Sequence, residues 1–227
     1  MLSNLINLGY SSLIVVLTAF FLLGAIALMR YAVELFEFSG FTPSESLILV
    51  LAPLLNLIPI SYNLIFISFE DVSLGFNLLG FLIPFYISIR IILSKRIPYL
   101  RSLVALAIIT FLSYELSTFY PDRGILVYNF YLVPISATFV SILLCSNRLK
   151  KIAPLSYFSG TMGILIGADL LRLNEVLLID YSVKTNFFIG GAGVLDAIFM
   201  CGFLSVLLDL VLIFLNPECR IQFRKTK

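Results

Sequence analysis

The chain has 227 residues, of which 60% are apolar and 12% charged, with a formal net charge of +2, no histidine and a mean hydropathy of +1.07. A soluble domain carries about 25% charged residues, so this chain has too little polar surface to cover a water-facing globule and belongs in a bilayer. The slight charge, with no dense basic run, excludes a nucleic-acid partner, and the lack of histidine removes the commonest metal ligand and near-neutral proton carrier.

The N-terminal MLSNLINLGYSS has no basic region and no evident cleavage site, so the first apolar segment is expected to be a retained span. A spanning helix takes about 20 mostly apolar residues. Seven segments meet that requirement: roughly 11–36, 45–67, 73–93, 98–119, 125–146, 153–173 and 187–215. The expected fold is all-α, a polytopic transmembrane bundle of about seven spans forming one integral membrane domain over 1–227. The second span has a marked start, since Thr42-Pro43-Ser44-Glu45 supplies a cap residue, a first-turn proline and a glutamate at the third helical position. Pro53 and Pro59 would bend or break the same span.

Lysine and arginine in short loops set the orientation. Lys95, Arg96 and Arg101, then Arg148, Lys150 and Lys151, then Arg220, Arg224, Lys225 and Lys227 in the tail all fall on one side, which is expected to be cytoplasmic. The opposite loops hold Glu70–Asp71, Asp122–Arg123 and the stretch from Arg172 to Lys184. The N-terminus is therefore expected outside and the C-terminus inside, in a multi-pass protein of the cell membrane. The three cysteines, Cys145, Cys201 and Cys219, form no CxxC pair and read as packed free thiols. No sequence motif asks for a cofactor or a metal, and no phosphate loop, kinase element or nucleophile elbow occurs.

Charged groups inside the hydrocarbon are costly and face the bundle interior. In FFIGGAGVLDAIF (187–199), Asp196 is expected roughly 12 Å into the last span, at 1.5 Å per residue, with no cation on its face and a notch left by Ala192 and Gly193. That makes it a candidate proton carrier or general acid/base, or else the acceptor of a buried structural hydrogen bond. Asp169 ends the sixth span, where Arg172 three residues on can pair with it across one helix face. Glu115, Asn77 and Asn129 place further polar groups in the outer half, near helix ends where water can satisfy them. The inner half is nearly bare, apart from Asp209 and, in the first span, Arg30 and Glu34. Gly160, Gly163 and Gly167 recur on roughly one face and permit close helix packing. Gly190, Gly191 and Gly193 read either as another close-packing run or as a loosened helix start whose free N–H groups meet a ligand.

APLSYFSGTMGILIGADLLRLN (153–174), FIGGAGVLDAIFMCGFLSVLL (188–208) and FEFSGFTPSESLILVL (36–51) together resemble a prokaryotic family of multi-pass membrane proteins catalogued as domain of unknown function number sixteen-fourteen. The likeness runs from about 31 to 210 and implies a membrane fold without an assigned activity. The same two aspartates give a partial similarity to intramembrane aspartyl proteases of the presenilin type, which place one aspartate on each of two adjacent spans. Such a resemblance implies Asp169 and Asp196 as a catalytic pair sharing one proton. This chain departs from that pattern: Asp196 stands three residues after Gly193, Ala168 precedes the first aspartate, and no Pro-Ala-Leu element comes after it.

Three functional classes remain open. The first is transport or binding of a small solute, coupled or not to a proton, at an outer-half site around Asp196, Asp169, Arg172, Glu115, Gly191, Gly193, Asn77 and Asn129. The second is the aspartyl protease. The third is a non-catalytic component that binds a membrane-protein partner or lipid, with the basic tail suited to anionic headgroups.

Overall fold

The computed structural model describes residues 2–58, 62–68, 72–145, 149–178 and 185–215, with side chains from residue 17 onward except at 149, 213 and 214. Pro59, Glu70, Asp71, Arg148, Lys184, Cys219 and the basic tail from Arg220 lie outside these residues.

Helix α1 (Leu2–Phe38) is followed by α2 (Pro43–Leu55), which starts as its sequence predicts: the Thr42 N–H donates to Glu45 Oε2 at 2.9 Å. It stops at Leu55 instead of running on to 67. The apolar run NLIFIS forms a strand, β1 (Asn63–Ser68), paired antiparallel with β2 (Val72–Asn77). Continuous apolar runs of this length cannot be assigned to helix or strand by hydropathy alone. The third span likewise begins as β2, passes through a π-helical turn (Leu78–Leu82), and becomes α3 only at Ile83–Leu93. Helix α4 (Tyr99–Leu116) leads into the hairpin β3 (Ser117–Tyr120) and β4 (Gly124–Val127), and α5 (Leu132–Cys145) comes next.

Helix α6 (Leu149–Ile164) runs into a second π-helical turn (Leu165–Leu170) and the short α7 (Leu173–Leu177). Strand β5 (Thr185–Ile189) then pairs parallel with β2, giving a three-stranded sheet in the order β1-β2-β5. A single 3-10 turn (Gly193–Leu195) precedes α8 (Ala197–Leu215). The all-α expectation is thus corrected to a mostly helical fold that also contains strands, and the second, third, fourth, fifth and seventh segments are helical over only part of their length.

All five strands described lie at the same end of the bundle, because each sits in a connection that turns the chain there. At the other end the Arg96 guanidinium donates to Gly40 O at 3.3 Å, joining the α1–α2 and α3–α4 connections, and Arg101 of α4 donates to Leu144 O in the last turn of α5 at 2.6 Å. Helix α6 occupies the centre, packed against α3, α4, α5 and α8, and from Ile152 to Thr161 every residue is buried. Its small residues permit this. A Cβ on Gly163 would press on the Ile109 side chain, and one on Gly167 would strike the Thr110 carbonyl and lie 2.9 Å from Ser113 Cβ. Gly160 instead abuts Ala137, Cys201 and Ser205, so the three glycines serve two contacts, one with α4 and one with α5 and α8. Replacing Gly167 with valine is expected to cost about 1–3 kcal/mol, measured as a lowered unfolding midpoint in detergent; an unchanged midpoint contradicts the close approach.

Among the described residues two helices are long and apolar enough to cross a membrane, Leu17–Ser39 and Tyr99–Leu116; the apolar helices Pro43–Leu55, Leu78–Leu93, Leu132–Cys145 and Ala197–Leu212 are shorter. In two of them, α4 and α5, the polarity is inverted relative to a water-soluble helix. In α4 the buried face is Ser102, Ala105, Ile109 and Ser113, while Leu100, Leu103 and Phe111 point outward. In α5, Ala137, Thr138 and Ser141 face in and Ile135, Phe139 and Leu143 face out.

Candidate functional site

The strand-capped end contains a cavity of about 490 Å³. Its walls are the β3–β4 turn (Pro121, Asp122, Arg123), strand β5 (Thr185, Asn186), the backbone of Gly190, Gly191 and Ala192, and the carboxylates of Asp169 and Asp196. Among the described residues the lining carries three carboxylates (Asp122, Asp169, Asp196) and one guanidinium (Arg123).

Asp196 is not set deep within a helix. The chain is a strand to Ile189 and then a turn, with Gly190 at φ +74° and Gly193 at φ +65°, values that favour glycine. Asp196 itself is extended (φ −66°, ψ 147°) and caps α8: its Oδ1 accepts the Ile198 N–H at 3.1 Å and its Oδ2 the Ala192 N–H at 3.3 Å. The first α8 backbone bond runs from the Met200 N–H to Asp196 O at 2.9 Å. A carboxylate at an N-cap satisfies orphan amides and meets the positive end of the helix dipole. The small residues before it therefore form a tight turn rather than a notch in a helix.

Asp169 lies on the π-helical turn, where the Leu171 N–H reaches back five residues to Ile166 O at 2.9 Å. Such bulges shift the register of the next helical residues and recur at functional sites. The expected Asp169–Arg172 pair is absent. Arg172 instead donates to Glu175 Oε1 at 2.7 Å, Ser117 Oγ at 2.6 Å and Tyr114 O at 2.9 Å, and stacks over the Tyr114 ring at 4.5 Å. Among the described residues Asp169 makes no hydrogen bond and no ion pair, and it lines the same cavity as Asp196.

The other sequence candidates divide between the cavity and its supports. Gly191 lines the cavity and Gly193 shapes the turn behind it. Asn77 is structural: its Oδ1 accepts the Leu79 and Gly80 N–H groups at 2.9 and 2.8 Å, and its Nδ2 donates to Asn63 Oδ1 at 2.8 Å. Glu115 is exposed away from the cavity, and Asn129 is a turn residue at φ +47°. Sequence reasoning missed Asp122, Arg123 and Asn186 as lining residues, and Asn56, whose Oδ1 accepts the Val194 N–H at 3.4 Å and ties α2 to the turn before Asp196. The signal for the first two was present: Pro121-Asp122-Arg123-Gly124 is turn chemistry between two short apolar runs. Among the described residues no group of three or more His, Cys, Asp or Glu is placed to hold a metal ion.

A family model described as "Protein of unknown function (DUF1614)" matches residues 43–208, which include every described cavity-lining residue. No curated protein and no solved structure matches the chain.

Proposed function

We infer that this chain, which belongs to the DUF1614 family of proteins of unknown function, is a multi-pass membrane protein that binds or transports a small cationic solute through the cavity at the strand-capped end of its bundle. The inverted helices support the membrane reading, since large apolar residues face outward and small or polar ones inward, as lipid solvent requires. The basic loops favour the strand-capped end outside. A volume of about 490 Å³ suits a small organic molecule.

The observation that carries the reading is Asp169, a carboxylate without a partner among the described residues, on the wall of a cavity where acids outnumber bases three to one among the same residues. A cation entering the cavity supplies the charge that Asp169 lacks. Calorimetric titration of the purified chain in lipid nanodiscs tests this, with methylguanidinium and methylammonium as probes and acetate as the control. Saturable binding of either cation and none of acetate is expected. Binding of acetate alone, or of neither cation, contradicts it.

The aspartyl protease is a second reading, favoured by one observation: Asp169 and Asp196 line one cavity. Against it, both Asp196 oxygens accept backbone N–H groups at the start of α8, which gives this carboxylate a structural capping role.

A further inference from the structure

A second polar site lies in the bundle core, on the far side of α8's first turns from the cavity. Thr138 Oγ1 donates to Ser205 O at 3.1 Å, and a Cβ on Gly160 would stand 3.5 Å from both Ala137 Cβ and Ser205 Oγ. Residues 137–138 of α5, 160 of α6 and 205 of α8 therefore share one level. A step of about one turn, four residues along α5 and α8 and four back along the antiparallel α6, brings Ser141, Ser156 and Asp209 to the next level. The hydrogen bond from Ser156 Oγ to Asp209 Oδ2 confirms that step for two of the three.

All three residues are buried, Asp209 at 1% exposure and both serines at 0%. Two oxygens there have no hydrogen-bond partner among the described residues: Asp209 Oδ1 and Ser141 Oγ. The ion pairs of the described residues all involve other carboxylates, so no lysine or arginine among them neutralises Asp209. An unpaired polar oxygen in the interior is costly, and an unpaired carboxylate far more so.

We propose that Asp209, Ser141 and Ser156 bind a single monovalent cation of sodium size between α5, α6 and α8. The donors are all hard oxygens, which suit alkali and alkaline-earth ions over soft metals. One carboxylate balances one positive charge; a divalent ion would leave a net charge in a low-dielectric core. The Ser156 hydroxyl can give its hydrogen to Asp209 while a lone pair faces the ion. The site stands apart from the cavity and does not depend on what the cavity binds.

The test is the unfolding midpoint of the full chain in detergent, with sodium chloride exchanged for choline chloride at constant ionic strength. The midpoint is expected to rise saturably with sodium and not with choline. D209N keeps an acceptor for Ser156 and is expected to fold but lose the sodium response, while S141A weakens sodium affinity at least tenfold. D169N is expected to keep the response in full. A wild-type midpoint equal in the two salts, a D209N protein that still responds, or a response lost in D169N would overturn the proposal.

Discussion

Replacing Glu45 with alanine is expected to lower the stability of the folded chain by about 3–5 kcal/mol, the penalty for breaking a buried ion pair from one side. Glu45 is fully buried at the start of α2. Its Oε2 accepts from Arg96 Nη1 at 2.7 Å and from the Thr42 N–H at 2.9 Å, its Oε1 accepts from Arg96 Nη2 at 2.6 Å, and Arg90 Nε stands 3.5 Å away. The alanine variant removes all four contacts and leaves the Arg96 guanidinium, itself only 19% exposed, beside Arg90 without a counter-charge. The loss spreads further, because Arg96 also holds Gly40 O and so fastens the α1–α2 connection to the α3–α4 connection. The double variant E45M/R96M removes the pair and fills its volume, so it is expected to cost less than E45A. Unfolding midpoints in detergent measure both. A double variant less stable than E45A would show that the charges themselves, and not their unbalanced removal, hold this end together.

The second large effect falls on binding. D169N is expected to raise the dissociation constant for methylguanidinium at least tenfold, which corresponds to about 1.4 kcal/mol, because it removes a cavity carboxylate that has no partner among the described residues. D196N is expected to change it less than threefold. Asparagine caps a helix about as well as aspartate, so its single amide oxygen keeps the bond from the Ile198 N–H, while the longer 3.3 Å bond from the Ala192 N–H is lost. D196A, which loses the cap, is expected to cost about 0.5–2 kcal/mol of stability. Equal, complete loss of binding in D169N and D196N would contradict this division of roles and return the two aspartates to a functional pair.

Local signals were legible and long-range ones were not. Thr42-Pro43-Ser44-Glu45 announced the start of α2, since a capping box spans four residues; that Glu45 also meets Arg96, 51 positions away, left no trace in the sequence. Hydropathy located the apolar segments but not the points where they become strands, because runs such as Asn63–Ser68 are equally apolar in either form. Counting from 187, as though the helix begins there, puts Asp196 too deep. The turn at Gly190 and Gly193 moves it to the cap of α8. Asp169 and Arg172 looked like a pair because three residues separate neighbours on an α-helix; the π-helical turn breaks that spacing, and Arg172 finds Glu175 and Tyr114 instead. The cavity itself draws on residues from 119 to 196, and no sequence window contains it.

The central claim is that Asp169 faces an acidic cavity open to small cations. Its most direct test replaces Asp169 with cysteine in a chain whose Cys145, Cys201 and Cys219 have been changed to serine or alanine, and compares two thiol reagents of similar size and opposite charge, a cationic and an anionic methanethiosulfonate. Asp122 and Asp196 remain on the cavity wall, so the cationic reagent is expected to react at least tenfold faster, with the preference shrinking at high salt as the remaining charges are screened. Equal rates, a faster anionic reagent, or no labelling of a folded protein by either would contradict the claim.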